Sequence, residues 1–509
     1  MGGLKNLLPL REKVAAQRPD EGSRRRFPFA AGSARRDWCD PSSVACGDTF
    51  SRKGRRIRWG TLPLLSLIFA ANSALAAPAP GLAAPEAVTL YRNANLIDGT
   101  GAPLRRGVSL LVKGERIVEV GSDLAAPKGA KTIDATGLYV LPGLVNTHEH
   151  LATPPDRSFA EAEMRKDLYG GITTVRDMAD DLRALGDIAR ASRVGEIPGP
   201  DIQYAALMAG PEFFKDPRTH ATAQGAVAGE VPWMRAITAG ADLPRAVAEA
   251  HGTGAVAIKI YADLPADQVA AITREAHRQG MLVWAHAAVF PASPAEVVGA
   301  GVDSVSHVCM LAYQASDSIP RAYHDRAPVQ AQRLTGDNAA VEAVMQEMKR
   351  RGTILDATLH VYVDLEAEHA AHPKSPAPYC SAALAERLAR EAYRDALLIS
   401  AGTDGFSAPA DPWPALQDEL ELMQDKVGMT PADVIRAATM VGAMTLHEQD
   451  EIGSIATGKL ANLVFTRKDP LQDVRALRTV VLTVKRGVGF WRRDYHQTPA
   501  ELAAERREQ

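Results

Sequence analysis

Residues 138–150 read Leu-Tyr-Val-Leu-Pro-Gly-Leu-Val-Asn-Thr-His-Glu-His, an apolar run that ends in two histidines one residue apart. A short apolar run bounded by turn-forming residues is typical of a buried strand. Alternation along an extended chain places His148 and His150 on the same side, where both imidazoles could bind one metal ion. The run therefore predicts a strand with two candidate metal ligands at its carboxyl end.

The rest of the middle of the chain repeats this arrangement of a short apolar run followed by a helical pattern. The predicted strands are Leu138–Val145, Thr173–Arg176, Asp201–Tyr204, Val256–Ile260, Leu282–Ala285, Ser304–Ser306, Ile354–Ala357 and Leu397–Ala401. The predicted helices include Ala241–His251, Ala266–Gly280, Ala339–Arg351 and Ala382–Ala396. Eight such strands with helices between them favour a parallel (β/α)8 TIM-like barrel over an open sheet.

The segments on either side of the predicted barrel have a different sequence pattern: short runs of alternating polar and apolar residues, separated by Gly and Asp turns. Such runs predict strands at 88–92, 107–112, 116–120 and 131–134, and again at 462–466 and 480–485. We therefore expect an α/β protein in which both ends of the mature chain form a small β-sandwich domain. The predicted units are a leader at 1–76, the β-sandwich at 77–141 and 453–495, the barrel at 142–452 and a tail at 496–509.

Charge and cysteine content exclude several classes of protein. The 509 residues have a formal net charge of −3, but residues 1–76 contain 14 basic and 6 acidic residues, whereas the remainder contains 44 and 55. An acidic body is unsuited to binding a phosphate backbone, so we expect no nucleic-acid partner. Four cysteines, two of them in the leader, are too few for a disulfide scaffold or a cysteine-rich zinc site. Any bound metal must be held by histidine and carboxylate.

The leader contains the pattern of a secretory signal peptide. Basic residues at 52–58 precede an apolar segment at 61–71, and Ala74-Leu75-Ala76 forms an A-x-A cleavage pattern. The apolar segment is far shorter than the ~20 residues of a spanning helix, so we expect no permanent membrane anchor. Cleavage near Ala76 would release a periplasmic or secreted protein. Residues 1–50 are unusual for a signal peptide, and we hypothesise that translation starts near residue 50.

Further polar residues stand at the ends of the other predicted strands, and barrel active sites lie at that face. Lys259 belongs to the fourth strand, His286 and His307 end the fifth and sixth, and Asp404 follows the eighth. Each has an ordinary alternative: a His-x-His pair by chance, a hydrogen-bonded structural histidine, a lysine whose charged end reaches the rim, or an aspartate that caps a helix. Their joint occurrence at strand ends of one barrel makes coincidence a poor explanation.

Several motifs together resemble those of the amidohydrolase superfamily. They are Pro142–His150, the segment Gly171-Ile-Thr-Thr-Val-Arg-Asp177, Ala285-His286-Ala287, Gly301–His307, Ala401-Gly402-Thr403-Asp404-Gly405 and the returning stretch Gly453–Leu463. The resemblance covers roughly residues 87–490. It is greatest to the imidazolonepropionase-like and prolidase-like members.

The resemblance implies a deformed (β/α)8 barrel with a binuclear metal centre. One ion would be held by His148, His150 and Asp404, and the other by His286 and His307. Lys259 matches the position of a carboxylated lysine, a carbamate derived from CO2 that bridges both ions. The metal is expected to be zinc, with manganese, cobalt or iron as alternatives. A hydroxide bridging the ions would attack the substrate carbonyl while Asp404 passes a proton to the leaving amine.

The expected activity is hydrolysis of a C–N bond in a small amide or dipeptide-like substrate. A cyclic amide is the second choice, and a lactone or phosphotriester hydrolase could use the same metal centre. A barrel scaffold without turnover also stays open, although all six metal-site residues are present. His220 and Tyr261 are candidates for substrate binding, and Asp177 for a supporting role. Four more side chains could face the pocket: Arg321, Tyr323, His324 and His360. Length and fold neither require nor forbid a homo-oligomer.

Overall fold

The computed structural model describes residues 87–508. The predicted leader, its signal peptide and the predicted cleavage near Ala76 lie outside the described residues. Between residues 87 and 508, none of the helices is both long and apolar enough to cross a membrane.

Strands occupy both ends of the described chain, and strands alternate with helices between them. In chain order the strands are β1 (Val88–Leu96), β2 (Arg105–Lys113), β3 (Arg116–Gly121), β4 (Lys131–Asp134), β5 (Tyr139–Pro142), β6 (Leu144–Glu149), β7 (Ile172–Asp177), β8 (Asp201–Ala209), β9 (Glu230–Val231), β10 (Met234–Ala236), β11 (Ala257–Ile260), β12 (Leu282–His286), β13 (Ser304–Ser306), β14 (Ile354–Asp356), β15 (Ile399–Ser400), β16 (Leu463–Thr466), β17 (Val480–Lys485) and β18 (Val488–Trp491). The α-helices are α1 (Arg157–Tyr169), α2 (Leu182–Arg193), α3 (Pro217–Thr222), α4 (Leu243–His251), α5 (Ala266–Arg278), α6 (Pro294–Gly299), α7 (Ala339–Arg351), α8 (Leu359–Ala371), α9 (Ala382–Arg394), α10 (Leu416–Leu422), α11 (Pro431–Arg436), α12 (Gly442–Thr445) and α13 (Pro499–Glu508).

Strands from both ends of the described chain form one mixed sheet. Its order is β18-β17-β16-β5-β1-β2-β3, and β4 also pairs with β1. β1 pairs with β4 through residues 89–92 and with β5 through residues 95–96, and Asn93 between these two stretches has a φ of 62°. β1 therefore changes its pairing partner at Asn93, from β4 to β5. The sheet packs on an apolar core that is separate from the core of the barrel. The prediction that both ends build one small β domain is confirmed.

Eight parallel strands form the barrel, in the order β6-β7-β8-β11-β12-β13-β14-β15. The N–H of Thr147 in β6 donates to the carbonyl of Ala401, just after β15, over 2.9 Å, which links the first strand to the last. Every residue of β6, β7 and β11 is buried, because helices cover the outside of such a barrel and side chains fill its interior. The predicted (β/α)8 barrel is confirmed, and all eight barrel strands overlap the predicted ones.

The first predicted strand is two strands in the structure. β5 belongs to the terminal sheet and β6 to the barrel, with Gly143 between them. A side chain at Gly143 has no room, because a Cβ there would lie 2.1 Å from Oγ1 of Thr173. The N–H of Gly143 donates instead to the carbonyl of Asn462 at 2.8 Å. Because residues 138–145 form one continuous apolar run, the sequence pattern does not indicate that the chain passes from one sheet to the other at Gly143.

Several of the barrel helices begin at side-chain caps. Asp156 accepts from the N–H groups of Ser158 and Phe159 at the start of α1, and Asn338 and Ser381 cap α7 and α9. α7 has the predicted bounds, and α4, α5 and α9 lie within theirs.

The predicted tail at 496–509 contains α13, which packs against α1. Glu505 of α13 is buried, and its Oε1 lies 3.0 Å from Nζ of the equally buried Lys166 in α1. Lys166 also bonds to Glu163 at 3.0 Å. Removing one partner of a buried pair leaves an uncompensated charge, so this ion pair holds the carboxyl-terminal helix on the barrel.

Candidate metal centre

The candidate metal ligands predicted from the strand ends lie at the carboxyl face of the barrel. Lys259 is the third residue of β11, and His286 is the last residue of β12. His307 directly follows β13, and Asp404 comes four residues after β15. Because the strands are parallel, their carboxyl ends open on one mouth.

The imidazoles of the four candidate histidines form a continuous row across this mouth. Ring centroids are 5.5 Å apart for His148 and His150, 5.0 Å for His148 and His307, and 4.8 Å for His286 and His307. Tyr261 packs on the outer end of the row, 4.0 Å from the ring of His286. His148 and His150 therefore lie next to each other at the end of β6, and the parallel strand order brings His307 and His286 beside them.

Asp404 lies at the centre of this row. Its Oδ1 is 3.4 Å from Nε2 of His148 and 3.6 Å from Nε2 of His150, and its Oδ2 is 3.7 Å from Nδ1 of His307. His148, His307 and Asp404 each offer one ligand atom within 4.8 Å of the others, a grouping that could hold a metal ion. Lys259 is 1% exposed and lies at the same mouth, with its Nζ 6.0 Å from the centroid of the Tyr261 ring.

Two buried carboxylates orient the paired histidines. Asp356 accepts from Nδ1 of His148 at 2.6 Å, and Asp180 accepts from Nδ1 of His150 at 2.6 Å. An ionised carboxylate only accepts, so each Nδ1 carries the hydrogen and each Nε2 is left as an electron-pair donor facing Asp404. Carboxylates of this kind are the usual outer partners of metal-binding histidines.

Asp180 stays ionised despite its burial. Burial raises its pKa, but the bonds from His150, Thr153 and the N–H of Ala152 outweigh burial and lower the pKa below its ordinary value. The donor set of imidazoles with fixed Nδ1 atoms and one carboxylate at the centre fits a divalent metal ion.

The backbone around the centre is strained. His307, Thr358 and Asp404 all have left-handed conformations, with φ of 72°, 51° and 53°. Such conformations are unfavourable for residues with side chains and persist where the surrounding structure enforces them. The N–H of Asp404 donates to the carbonyl of His148 at 3.0 Å, which fixes the carboxylate against β6. At Gly402 a Cβ would lie 2.2 Å from Oδ1 of Asp356, so glycine is required there.

Two other acidic residues of the quoted motifs accept hydrogen bonds from neighbouring protein groups. Asp177 accepts from the N–H of Leu151 at 2.9 Å, which supports the loop after His150, the kind of supporting place predicted for it. Glu149 lies on the opposite side of β6 from its histidine neighbours and accepts from Nδ2 of Asn146 at 2.6 Å.

A cavity of about 740 Å³ opens directly over His307 and Asp404. Tyr261 lines it as predicted, and so do Tyr323 and His324. His220 does not: it is exposed on α3, and the cavity is reached by Arg218, two residues earlier on that helix. Arg321 and His360 are also absent from the lining. The remaining lining residues are Lys215, Asp216, Pro217, Met310, Arg326, Pro328, Val361, Tyr362, Leu365, Pro376, Ala377 and Tyr379.

A disulfide joins two segments beside this cavity. It links Cys309, two residues after His307, to Cys380, which follows the lining residue Tyr379. The Cα atoms are 6.3 Å apart and the cysteines are separated by 71 residues. The cysteine count correctly excludes a disulfide-rich scaffold, but it does not indicate this single bond.

Asp356, Asp180 and the cavity arginines Arg218 and Arg326 were not predicted as site residues. Asp356 is the last residue of β14 and the last but one of the predicted strand Ile354–Ala357, so the criterion that found the histidines comes within one residue of it. Asp180 lies in the loop after β7 and Arg218 lies on the short helix α3, so a strand-end criterion gives no signal for either.

Comparisons with known proteins place the chain among hydrolases. The profile of the amidohydrolase family matches residues 139–488. An ochratoxinase of Aspergillus niger is 26% identical over 441 residues, covering 77% of this chain and 83% of that protein. An N-acyl-D-aspartate deacylase of Alcaligenes xylosoxydans xylosoxydans is 42% identical over 86 residues, 17% of this chain and only 16% of the deacylase. A solved Xaa-Pro dipeptidase with bound methionine shares the fold, with a TM-score of 0.64 at 23% identity over 80% of this chain and 100% of that one.

Proposed function

The chain belongs to the amidohydrolase family, and from this premise we propose that it is a metal-dependent hydrolase that cleaves the C–N bond of a small amide or dipeptide-like substrate. One observation carries the proposal: ligand atoms of His148, His307 and Asp404 lie within 4.8 Å of one another beneath a cavity of about 740 Å³. Similarity to a dipeptidase, an ochratoxinase and a deacylase supports a substrate of this class.

The candidate ligands fall into two groups. His148, His150 and Asp404 would hold one divalent ion, and His286 and His307 the other. Lys259 would bridge them as a carbamate. A lysine amine must be neutral to react with CO2, and burial favours the neutral form of an amine. The 1% exposure of Lys259 and its position among apolar residues of β11 support this role. When bound, divalent ions would polarise the scissile carbonyl and acidify the attacking water, and zinc suits these ligands.

Asp404 is the proposed proton carrier. Its Oδ1 faces Nε2 of His148 and His150, and its backbone N–H is tied to β6, so the carboxylate has a fixed place at the mouth. It would accept a proton from the attacking water and deliver it to the nitrogen of the leaving amine. His148 and His150 would not take over this task, because the Nδ1 atom of each already donates to Asp356 or Asp180 and the Nε2 atom of each would be bound to the metal ion. Tyr261, packed on His286 and facing the cavity, would help to position the substrate.

We also propose that the protein is exported. Disulfides persist in oxidising compartments, and the Cys309–Cys380 bond agrees with the signal-peptide pattern of the leader.

A side-by-side panel tests the proposed reaction. Mature protein with added zinc is assayed against N-acyl amino acids, dipeptides, a cyclic amide, a lactone and a phosphotriester. We expect the fastest turnover on an acyclic amide, its loss on chelation, and a loss of more than about 100-fold in His148→Asn. His277→Asn is the matched control, because His277 is also paired to an aspartate, Asp303, but lies on α5. Faster turnover of the lactone or phosphotriester, or activity that survives chelation and His148→Asn, would contradict the proposal.

A further inference from the structure

The cavity wall contains a guanidinium held between two aromatic rings. Cζ of Arg326 lies 4.3 Å from the centroid of the Tyr323 ring and 4.4 Å from that of Tyr379. All three side chains line the cavity that also reaches His307 and Asp404. Rings packed on a guanidinium stabilise its charge and leave its hydrogen-bond donors along the edge.

The Arg326 guanidinium has an unsatisfied donor. Its Nη1 is buried and has no hydrogen-bond partner among residues 87–508. The other cavity arginine differs: Arg218 binds Asp216 through Nε at 3.0 Å and Nη2 at 2.5 Å. The side chains with the strongest electrostatic effect on the Arg326 guanidinium are tyrosines, not carboxylates. Among residues 87–508, no carboxylate therefore neutralises Arg326 in the way that Asp216 neutralises Arg218. A buried cationic donor without a counter-ion is unfavourable, and an anionic ligand removes the penalty.

The wall that contains Arg326 is anchored on several sides. The N–H of Val329, three residues later, donates to the carbonyl of Tyr379 at 2.8 Å, and the hydroxyls of Tyr379 and Tyr362 are 2.9 Å apart. The next residue, Cys380, is bound to Cys309. Arg326 is therefore held in place before a ligand arrives, which lowers the entropy lost on binding.

We propose that Arg326 binds a carboxylate of the substrate through the edge of its guanidinium, so that the enzyme prefers N-acyl amino acids and dipeptides with a free carboxyl group. The inference rests on the proposed function, because the carboxylate would sit in the cavity while the amide reaches Asp404. A guanidinium edge matches a carboxylate with two parallel hydrogen bonds. The carboxylates of the cavity lining, Asp216 and Asp404, do not fill this place: Asp216 is bound by Arg218 and Asp404 lies among the histidines.

Paired ligands that differ only in charge test the proposal. Binding of N-acetylphenylalanine and of its uncharged carboxamide is measured by calorimetry on mature protein freed of metal by chelation, so that neither ligand is hydrolysed, for wild type, Arg326→Met and Arg326→Lys. We expect wild type to prefer the carboxylate, and Arg326→Met to weaken carboxylate binding about 10- to 100-fold, with less than about a two-fold effect on the carboxamide. Arg326→Lys should restore part of the preference. Arg321→Met is the control, because Arg321 belongs to the same loop but is exposed and outside the cavity lining.

Two results would overturn the proposal: a wild type that binds both ligands equally, or an Arg326→Met variant that weakens both to the same extent. Thermal unfolding of each variant shows whether it is folded. Because binding is measured without turnover, a carboxylate preference that depends on Arg326 would stand even if the amide panel showed no hydrolysis.

Discussion

His148 and Asp356 are joined by a hydrogen bond of 2.6 Å between Nδ1 and Oδ2, although they are separated by 208 residues in the chain. Asp356 is in turn bound by the guanidinium of Arg176 at 3.0 Å and by the hydroxyl of Ser306 at 2.9 Å. All these side chains are buried. The orientation of one candidate metal ligand is thus set by three other strands of the barrel.

Replacement of Asp356 tests this arrangement. Asp356→Ala removes the acceptor that fixes the His148 tautomer, so we expect metal affinity and activity to fall about 10- to 100-fold. Zinc affinity measured by competition with a chelator, together with amide turnover, checks the effect. Asp303→Ala is the control, because Asp303 also accepts from a histidine, His277, but at the opposite end of the barrel. Equal loss of metal in both variants would mean that the pairing with His148 has no special role.

Substrate affinity should depend on the ionisation of Tyr323. Burial opposes ionisation of this phenol, but the positive charges of Arg326 and Arg218 outweigh burial and lower its pKa to about 8. Above that pH a phenolate adjoins Arg326 and competes with a substrate carboxylate. We expect KM for a carboxylate substrate to rise from pH 7 to pH 9, and the corresponding carboxamide to show no such rise.

Two tyrosine variants separate this effect from general changes with pH. Tyr323→Phe should abolish the rise in KM. Tyr379→Phe should retain it, because burial holds the pKa of Tyr379 well above its ordinary value. A rise that persists in Tyr323→Phe would show that another group titrates.

Glu419 should make the folded protein less stable as the pH rises. Its carboxyl group accepts from the N–H groups of Leu359 and His360, but burial dominates and raises its pKa to about 8. The folded state therefore retains a proton that the unfolded state loses near its ordinary pKa of 4.5. Between these two values the stability contributed by Glu419 falls by about 1.4 kcal/mol per pH unit.

Denaturant unfolding at pH 5 and pH 8 measures this loss. Glu419→Gln does not titrate, so it should lose less stability than wild type over this interval. Glu347→Gln is the control: Glu347 is paired on the surface with Arg350 and Arg351, which lower its pKa to about 2, so it is ionised throughout the interval. Parallel pH profiles for wild type and Glu419→Gln would contradict the prediction.

The disulfide should stabilise both the fold and the cavity wall. Of the four cysteines, Cys39 and Cys46 precede the predicted cleavage site, so thiol titration of mature protein should find free thiols only after reduction. We expect the Cys309→Ala/Cys380→Ala variant to be about 2–4 kcal/mol less stable. KM should also rise, because Cys380 adjoins Tyr379. Two free thiols in unreduced native protein would contradict the prediction.

The barrel and the row of histidines were predictable because both follow from local pattern. Apolar runs of the right length define the strands, and parallel topology brings their carboxyl ends together. His286 and His307 could be placed beside His148 without knowledge of any contact, since each ends a strand.

The carboxylates that bind the histidines, and the residues of the cavity wall, could not be predicted in this way because their positions depend on long-range contacts. The pairing of Asp180 with His150 arises from how the loop after β7 folds back, which no periodicity encodes. Arg326, Tyr323 and Tyr379 meet because two irregular segments fold together beside the disulfide. His220 was predicted to bind substrate from its residue type, but the segment that contains it contributes Arg218, and not His220, to the cavity lining.

The metal content of mature wild-type protein and of Lys259→Ala tests the central claim most directly, with Lys215→Ala as a control at the cavity rim. Elemental analysis after zinc loading should give about two ions per chain in wild type and in Lys215→Ala. Lys259→Ala should retain about one ion or fewer and lose amide hydrolysis, because it lacks the bridge. About one ion in both wild type and Lys259→Ala, or no bound metal at all, would contradict the binuclear centre.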